Sequence, residues 1–237
     1  LMMALKLPVV RLLIADDVGI GKTIEAGLIV REMLDRGLID RFSVLCPPHL
    51  VEQWVSELAE KFDIDAVAVT SARARSLERG LPAAQSLFEA YPHTVVSLDY
   101  IKADSRRDEF ARACPSLVIV DEAHACIGGD RGRHQRFELL ERLASDEARH
   151  MLLLTATPHS GDEAAFDRLL GLISPDFAGG PQGDENARTR YARRLAQHYV
   201  QRRRPDITES GWHEKRTFPV HQVKDEPFSL SGEFGAF

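Results

Sequence analysis

Six short, nearly continuous apolar runs, spaced by longer segments of helical periodicity, restrict the fold more than any other feature of the chain. They are Arg11–Ala15, Phe42–Cys46, Asp65–Val69, Thr94–Leu98, Leu117–Asp121 and Met151–Thr155. A strand with one wet face alternates apolar and polar residues, whereas a strand apolar throughout needs cover on both faces. The intervening segments supply that cover. Leu50, Val51, Trp54, Val55, Leu58, Ala59 and Phe62 fall on one helical stripe, and Phe166, Leu169, Leu170 and Ile173 on another. Strands alternating with helices predict an α/β fold: a mostly parallel sheet, helices on both faces, right-handed crossovers. There is no internal repeat.

Composition narrows the class. With 237 residues, the chain is one large domain or one domain and a piece. A hydrophobic share of 44% and a charged share of 28% exclude disordered, collagen-like and coiled-coil chains. No apolar run is long enough to cross a bilayer and no cleavable leader opens the chain, so a reducing cytoplasm and no membrane partner are expected. Cys46, Cys114 and Cys126 form no C-x-x-C pair, which argues against a disulfide scaffold or zinc module. The net charge of -6 excludes a wholly basic nucleic-acid module but not a local basic patch. The chain opens inside an apolar stretch at Leu1 and stops at Gly235-Ala236-Phe237, which reads as a piece of a longer protein.

The alternation ends near Ile173. Residues 174–184 are rich in Gly and Pro and read as a loop. A helix is predicted from Asn186 to Gln201, with Tyr191, Leu195 and Tyr199 on one face. Arg188, Arg190, Arg193, Arg194, Arg202, Arg203 and Arg204 decorate this stretch without an acidic neighbour. The basic cluster near Arg202 has two readings: phosphate contact, or a docking surface or solvated helix face. From Pro205 onward turns are expected, with one candidate strand at Thr217–Val223.

Three motifs stand at the ends of predicted strands. Gly19-Ile20-Gly21-Lys22-Thr23 follows the first strand and opens a helix, the context a P-loop requires. Glycines let backbone N–H groups turn toward phosphate oxygens, and the helix N-terminus adds positive potential. Lys22 would reach the β and γ phosphates, and the Thr23 hydroxyl would ligate Mg²⁺. One departure is that Asp16 stands where the first glycine is usual. Asp121-Glu122-Ala123-His124 follows Leu117-Val118-Ile119-Val120, so two carboxylates emerge from a buried strand where open parallel sheets bind ligands. Asp121 would hold Mg²⁺ through water, and Glu122 would orient the attacking water. Thr155-Ala156-Thr157-Pro158 follows the sixth run, and its hydroxyls would sense the nucleotide beside the carboxylates.

Together these residues resemble the first RecA-like lobe of superfamily-two helicases. Asp16-Asp17-Val18-Gly19-Ile20-Gly21-Lys22-Thr23 resembles the first motif of Swi/Snf-type ATPases, in which acidic residues replace the first glycine. Cys46-Pro47-Pro48-His49-Leu50 with Gln53-Trp54 resembles motif Ia, Val95-Val96-Ser97-Leu98-Asp99-Tyr100 motif Ib, and Arg202-Arg203-Arg204-Pro205-Asp206-Ile207 the basic stretch ending the first lobe. The wording Gly21-Lys22-Thr23-Ile24-Glu25-Ala26-Gly27 is similar to bacterial members: the RNA-polymerase-associated ATPase branch and phage-defence helicases, such as that of the DISARM system.

The resemblance implies a RecA-like P-loop NTPase lobe over residues 1–173, a loop and basic helix closing it over 174–207, and a connector over 208–237 toward a second lobe. It implies ATP and Mg²⁺ as cofactors, with Asp17, Val18, Gly19, Ile20, Gly21, Lys22 and Thr23 on the nucleotide and Thr23 and Asp121 on the metal. Lys22, Asp121, Glu122 and His124 would serve hydrolysis, and His124 would couple the site to Thr155, Ala156 and Thr157. Pro48, His49 and Ser97 would touch nucleic acid, duplex DNA by preference, along its phosphate backbone. Without the second lobe's arginine finger, slow hydrolysis is expected. Two rivals are a D-E-A-H type RNA helicase and an ATP-dependent switch or scaffold; Glu122 counts against the switch. His49, His93, His134, His150 and His159 lack metal-site spacing, Trp54 reads as core, and residues 128–132 as a loop.

Overall fold

The computed structural model describes residues 1–82, 85–127, 131–157 and 163–204. Each apolar run forms a strand: β1 (Arg11–Ile14), β2 (Phe42–Cys46), β3 (Val67–Val69), β4 (His93–Ser97), β5 (Leu117–Val120) and β6 (His150–Leu154). A seventh, β7 (Tyr199–Val200), joins them. All pairings are parallel, in the order β3-β4-β2-β5-β6-β1-β7.

The helices are α1 (Lys22–Asp35), α2 (Val51–Phe62), α3 (Ala74–Glu78), α4 (Leu87–Ala90), α5 (Asp104–Ala113), α6 (Arg131–Ala144), α7 (Glu163–Ile173) and α8 (Glu185–Leu195). Side chains alternate across a strand, so each central strand feeds two cores. Leu12, Ile14, Leu117, Ile119, Leu152 and Leu154 pack with α1 and α2 on one face. Leu13, Val118, Val120, Met151 and Leu153 pack with α4 to α7 on the other. The winding follows from this. From β1 the chain passes outward to β2 and β3 through α1 and α2 on one face. It returns through β4, β5 and β6 to β7 by helices on the other face. Reversing direction and face together keeps one crossover hand throughout.

Two polar devices serve this frame. The hydroxyls of Ser43 and Thr94, register partners on β2 and β4, are buried and lie 2.7 Å apart. Arg11 is 8% exposed, and its guanidinium donates to the Ala144, Asp146 and Arg149 carbonyls. It thereby closes the C-terminus of α6, whose last carbonyls would otherwise lack donors.

The predicted helix from Asn186 to Gln201 is shorter than expected. α8 starts on an Asp184 cap, which accepts from the Ala187 N–H, and stops at Leu195. Tyr199 and Val200 are instead a strand on the outer side of β1. The physical reason is an open ladder: the Leu13 and Ala15 N–H groups donate to the His198 and Val200 carbonyls, and aromatic and β-branched residues suit that position. The predicted loop at 128–132 is shorter than expected: Arg131 and Gly132 already belong to α6, while residues 128–130 lie outside the described residues, as do Pro158, His159 and residues 205–237 with the candidate strand Thr217–Val223.

Candidate active site

Because every strand is parallel, all strand C-termini reach one edge, and strand order fixes which motifs meet there. Across that edge stand Ser97 at the end of β4, Pro48 and His49 after β2, Asp121 to His124 after β5, Thr155 to Thr157 after β6, and Asp16 to Thr23 after β1. The carboxylates and the glycine loop are thus separated only by β6.

The loop is shaped by two glycines. Gly19 has φ 84° and Gly21 φ 111°, conformations that cost an L-residue and suit glycine. Gly21 is the N-cap of α1, and among the described residues no side chain caps the helix. The amides of the first helical turn therefore face the loop without a side-chain acceptor, the arrangement that receives an anion. Lys22 Nζ folds over the loop and donates to the Asp16 carbonyl at 2.8 Å and that of Asp17 at 3.4 Å. An ammonium held by neutral carbonyls at the mouth of such a loop fits phosphate oxygens in their place. Thr23 opens the helix directly after it. Val18, at the turn, is 64% exposed.

Asp16, the departure from the P-loop pattern, is fully buried. Its Oδ1 accepts from the Arg202 N–H at 2.7 Å, and its Oδ2 accepts from Arg202 Nε at 2.9 Å and from Nη2. Nη2 also binds Glu25 of α1, and the Asp17 N–H returns a bond to the Arg202 carbonyl. Burial works against the Arg202 charge, but the hydrogen bonds to Asp16 and Glu25 outweigh it and raise the pKa. Neither sequence reading of Arg202 included this contact, which joins residues 186 apart in the chain.

The second motif is equally constrained. Asp121 is 8% exposed; its N–H donates to the Leu45 carbonyl, tying it to β2. Its Oδ1 accepts from the Glu122 N–H at 2.9 Å, and its Oδ2 from the indole Nε1 of Trp54 at 2.8 Å. Trp54 is core, as its place on the stripe predicts, yet it also serves the site; the available signal was that a buried indole N–H needs an acceptor. Glu122 takes a left-handed conformation, φ 52° and ψ 46°, rare for a residue with a Cβ. His124 Nδ1 lies 2.9 Å from Thr155 Oγ1 and 3.2 Å from Glu122 Oε2. Thr155 is fully buried, and its Oγ1 also accepts from the Thr157 N–H at 3.2 Å. The imidazole therefore bridges the second and third motifs.

Of the residues predicted to meet nucleic acid, Pro48 and His49 are exposed in the short turn that opens α2. Ser97 reaches the same edge but is 3% exposed, and its hydroxyl accepts from the Asp99 N–H. A separate cleft of about 660 Å³ between α6 and α7, lined by Phe137, Asp167, Arg168 and Leu172 among others, shares no residue with this edge. Among the described residues no cluster of three or more His, Cys, Asp or Glu suits a metal ion, and no helix is long and apolar enough to cross a membrane. The donor set at the edge, one carboxylate and one hydroxyl beside a phosphate loop, suits Mg²⁺, which keeps waters and shares substrate phosphates.

Known proteins resemble this chain in sequence and in fold. Residues 1–203 match the family model of the SNF2-related domain. Over 168 residues the chain is 33% identical to the RNA polymerase-associated protein RapA of Yersinia enterocolitica, covering 70% of this chain and 17% of that protein. RapA of Yersinia pestis gives the same values. The chain thus spans 17% of the length of the curated relatives it matches. Among solved structures, the Sulfolobus solfataricus SWI2/SNF2 ATPase core in complex with dsDNA superposes with a TM-score of 0.63 at 17% identity, over 87% of this chain and 42% of that one. The Pyrococcus furiosus Hef helicase domain superposes with a TM-score of 0.51 at 20% identity, over 84% and 36%. These likenesses carry the fold: a RecA-like α/β lobe.

Proposed function

The chain belongs to the SNF2-related family, and from that premise we propose that it is the ATP-binding lobe of a motor that translocates on duplex DNA. The observation that carries this reading is the meeting of Lys22, Asp121, Glu122 and the His124–Thr155 bridge at one sheet edge. Lys22 Nζ exchanges the Asp16 and Asp17 carbonyls for phosphate oxygens, and the free amides of the α1 N-terminus bind the same group. Thr23 and Asp121 would hold Mg²⁺, which would supply positive charge against the phosphates. Glu122 orients the attacking water, and His124 carries its state to Thr155, Ala156 and Thr157. Asp17 to Gly21 wrap the phosphates. Pro48 and His49 face the nucleic acid, and Ser97 supports the adjoining turn.

Residues 1–173 form the lobe in this reading, 174–207 close it, and 208–237 lead to a second lobe that contributes an arginine. Such a group is worth about 10³–10⁵ in phosphoryl-transfer rate, so the chain alone binds ATP and hydrolyses it slowly. Likeness to RapA favours a cytoplasmic, nucleoid-bound role beside RNA polymerase over phage defence.

The test is labelled-ATP binding and ATP turnover by the 237-residue chain, and turnover by a form joined to a second RecA-like lobe, with duplex DNA, single-stranded DNA and RNA added separately. Lys22→Ala should lose at least tenfold in ATP affinity. Duplex DNA should stimulate the two-lobed form most. Fast turnover by the 237-residue chain alone refutes the need for a second lobe. Stimulation by RNA alone points to an RNA helicase, and ATP binding with no stimulation to a switch.

A further inference from the structure

Trp54 donates to Asp121 from a buried position, and its surroundings give that contact a further role. Asp121 emerges from β5, but its side chain is not oriented by β5 alone. Oδ1 is held by the next N–H in the chain, and Oδ2 by an indole that belongs to α2. A carboxylate with one donor on each oxygen cannot rotate without losing both, and each oxygen keeps a further lone pair for water or metal. The indole itself cannot yield, because Trp54 is 2% exposed within the core shared by α1 and α2. Those helices are in close contact where Gly27 of α1 meets Phe62 of α2, with no room for a Cβ between them. The glycine loop is the start of α1. The carboxylate is therefore referenced to the loop along a second rigid route, from loop to α1, to α2, to the indole.

We infer that Trp54 is a positioning residue for the Mg²⁺–nucleotide complex, fixing the Asp121 carboxylate relative to the glycine loop. This rests on the reading that the edge binds Mg²⁺ and ATP. The indole touches neither; it acts through Asp121. Metal geometry depends on such outer contacts, and their loss commonly costs 10–100-fold in metal affinity where they orient a direct ligand. A carboxylate that meets Mg²⁺ through water calls for the lower end of that range.

The test is binding of fluorescently labelled ATP to the 237-residue chain, with Mg²⁺ and with EDTA. Trp54→Phe keeps an aromatic ring and deletes the N–H. Its affinity in EDTA should stay within about twofold of the unsubstituted chain, while the tightening produced by Mg²⁺ should fall about tenfold. Asp121→Asn should lose the same tightening, and the double variant should lose no more than Asp121→Asn alone, since contacting residues are non-additive. Unchanged Mg²⁺ tightening in Trp54→Phe overturns the inference. So do losses that multiply in the double variant, or equal losses with Mg²⁺ and EDTA accompanied by a fall in Tm, which mark a purely structural tryptophan.

A second measurement keeps the native side chain. In Trp212→Phe, Trp54 is the only tryptophan, and its emission should change when Mg²⁺ is added to the ADP-bound chain but not to the free chain. No change overturns the inference. If the unsubstituted chain binds no labelled ATP under either condition, it is the nucleotide-site reading that fails, and the inference falls with it.

Discussion

Asp16 occupies the position where a P-loop ordinarily has glycine, and its carboxylate is fully buried. A buried charge persists only when paired, and Arg202 pairs it through backbone and guanidinium together. Removing one partner of a buried pair costs about 3–5 kcal/mol. The Arg202 side chain is 43% exposed, so solvent moderates the loss. Arg202→Gln should destabilise the chain by roughly 2 kcal/mol on these grounds, and Asp16→Asn should recover part of it. Urea unfolding of the two single variants and the double variant checks both. His150 makes a second residue-scale prediction. Its Nδ1 accepts from the Val10 N–H at 2.8 Å, so the ring is neutral there. Burial, then the nearby Arg11 charge, lowers its pKa below the ordinary 6.5. The folded state thus binds this proton less readily than the unfolded one. The stability it confers is complete above the unfolded pKa and is lost as pH falls through and below 6.5. Thermal melts from pH 7.5 to 5.5 should show a falling Tm. His150→Gln, which retains an acceptor and gains no charge, should show a shallower fall.

At the scale of elements, the contact between α1 and α2 sets the distance between the glycine loop and the second helix. A Cβ on Gly27 would lie 2.2 Å from the Phe62 ring, inside any contact distance. Gly27→Ala should therefore cost about 1–3 kcal/mol despite the better helix propensity of alanine. Phe62→Leu in that background should restore part of it, read by denaturant unfolding. The helix stripe containing Trp54 and Phe62 is legible in sequence because its period is local. The end of α8 is not. Tyr191, Leu195 and Tyr199 keep helical spacing, but an open edge on β1, far away in sequence, draws Tyr199 and Val200 into a strand.

For the whole molecule, the three thiols report how completely the two cores exclude water. Burial pushes Cys46, Cys114 and Cys126 up to about 12. An acid raised above its unfolded value adds stability below that value, here 9.0, and the stability is lost as pH climbs toward 12. Thiolate absorbance should therefore be nearly absent in the native chain at pH 10 and appear on unfolding. A large thiolate signal from the folded chain at that pH would show the cores to be wetter than described.

The sequence by itself determined the α/β class, the first six strands and the three motifs, because apolar runs, helical stripes and glycine-loop spacing are local patterns. It marked Lys22, Asp121, Glu122 and Thr155 by type and position. Only the tertiary structure decided what they touch. Parallel strand order sets β6 and β2 on either side of β5 and β7 beside β1, so His124 reaches Thr155 across 31 residues, Trp54 reaches Asp121 across 67, and Arg202 reaches Asp16 across 186. None of those separations leaves a period in the chain. Each is settled by where a buried polar group finds the partner that folding obliges it to have.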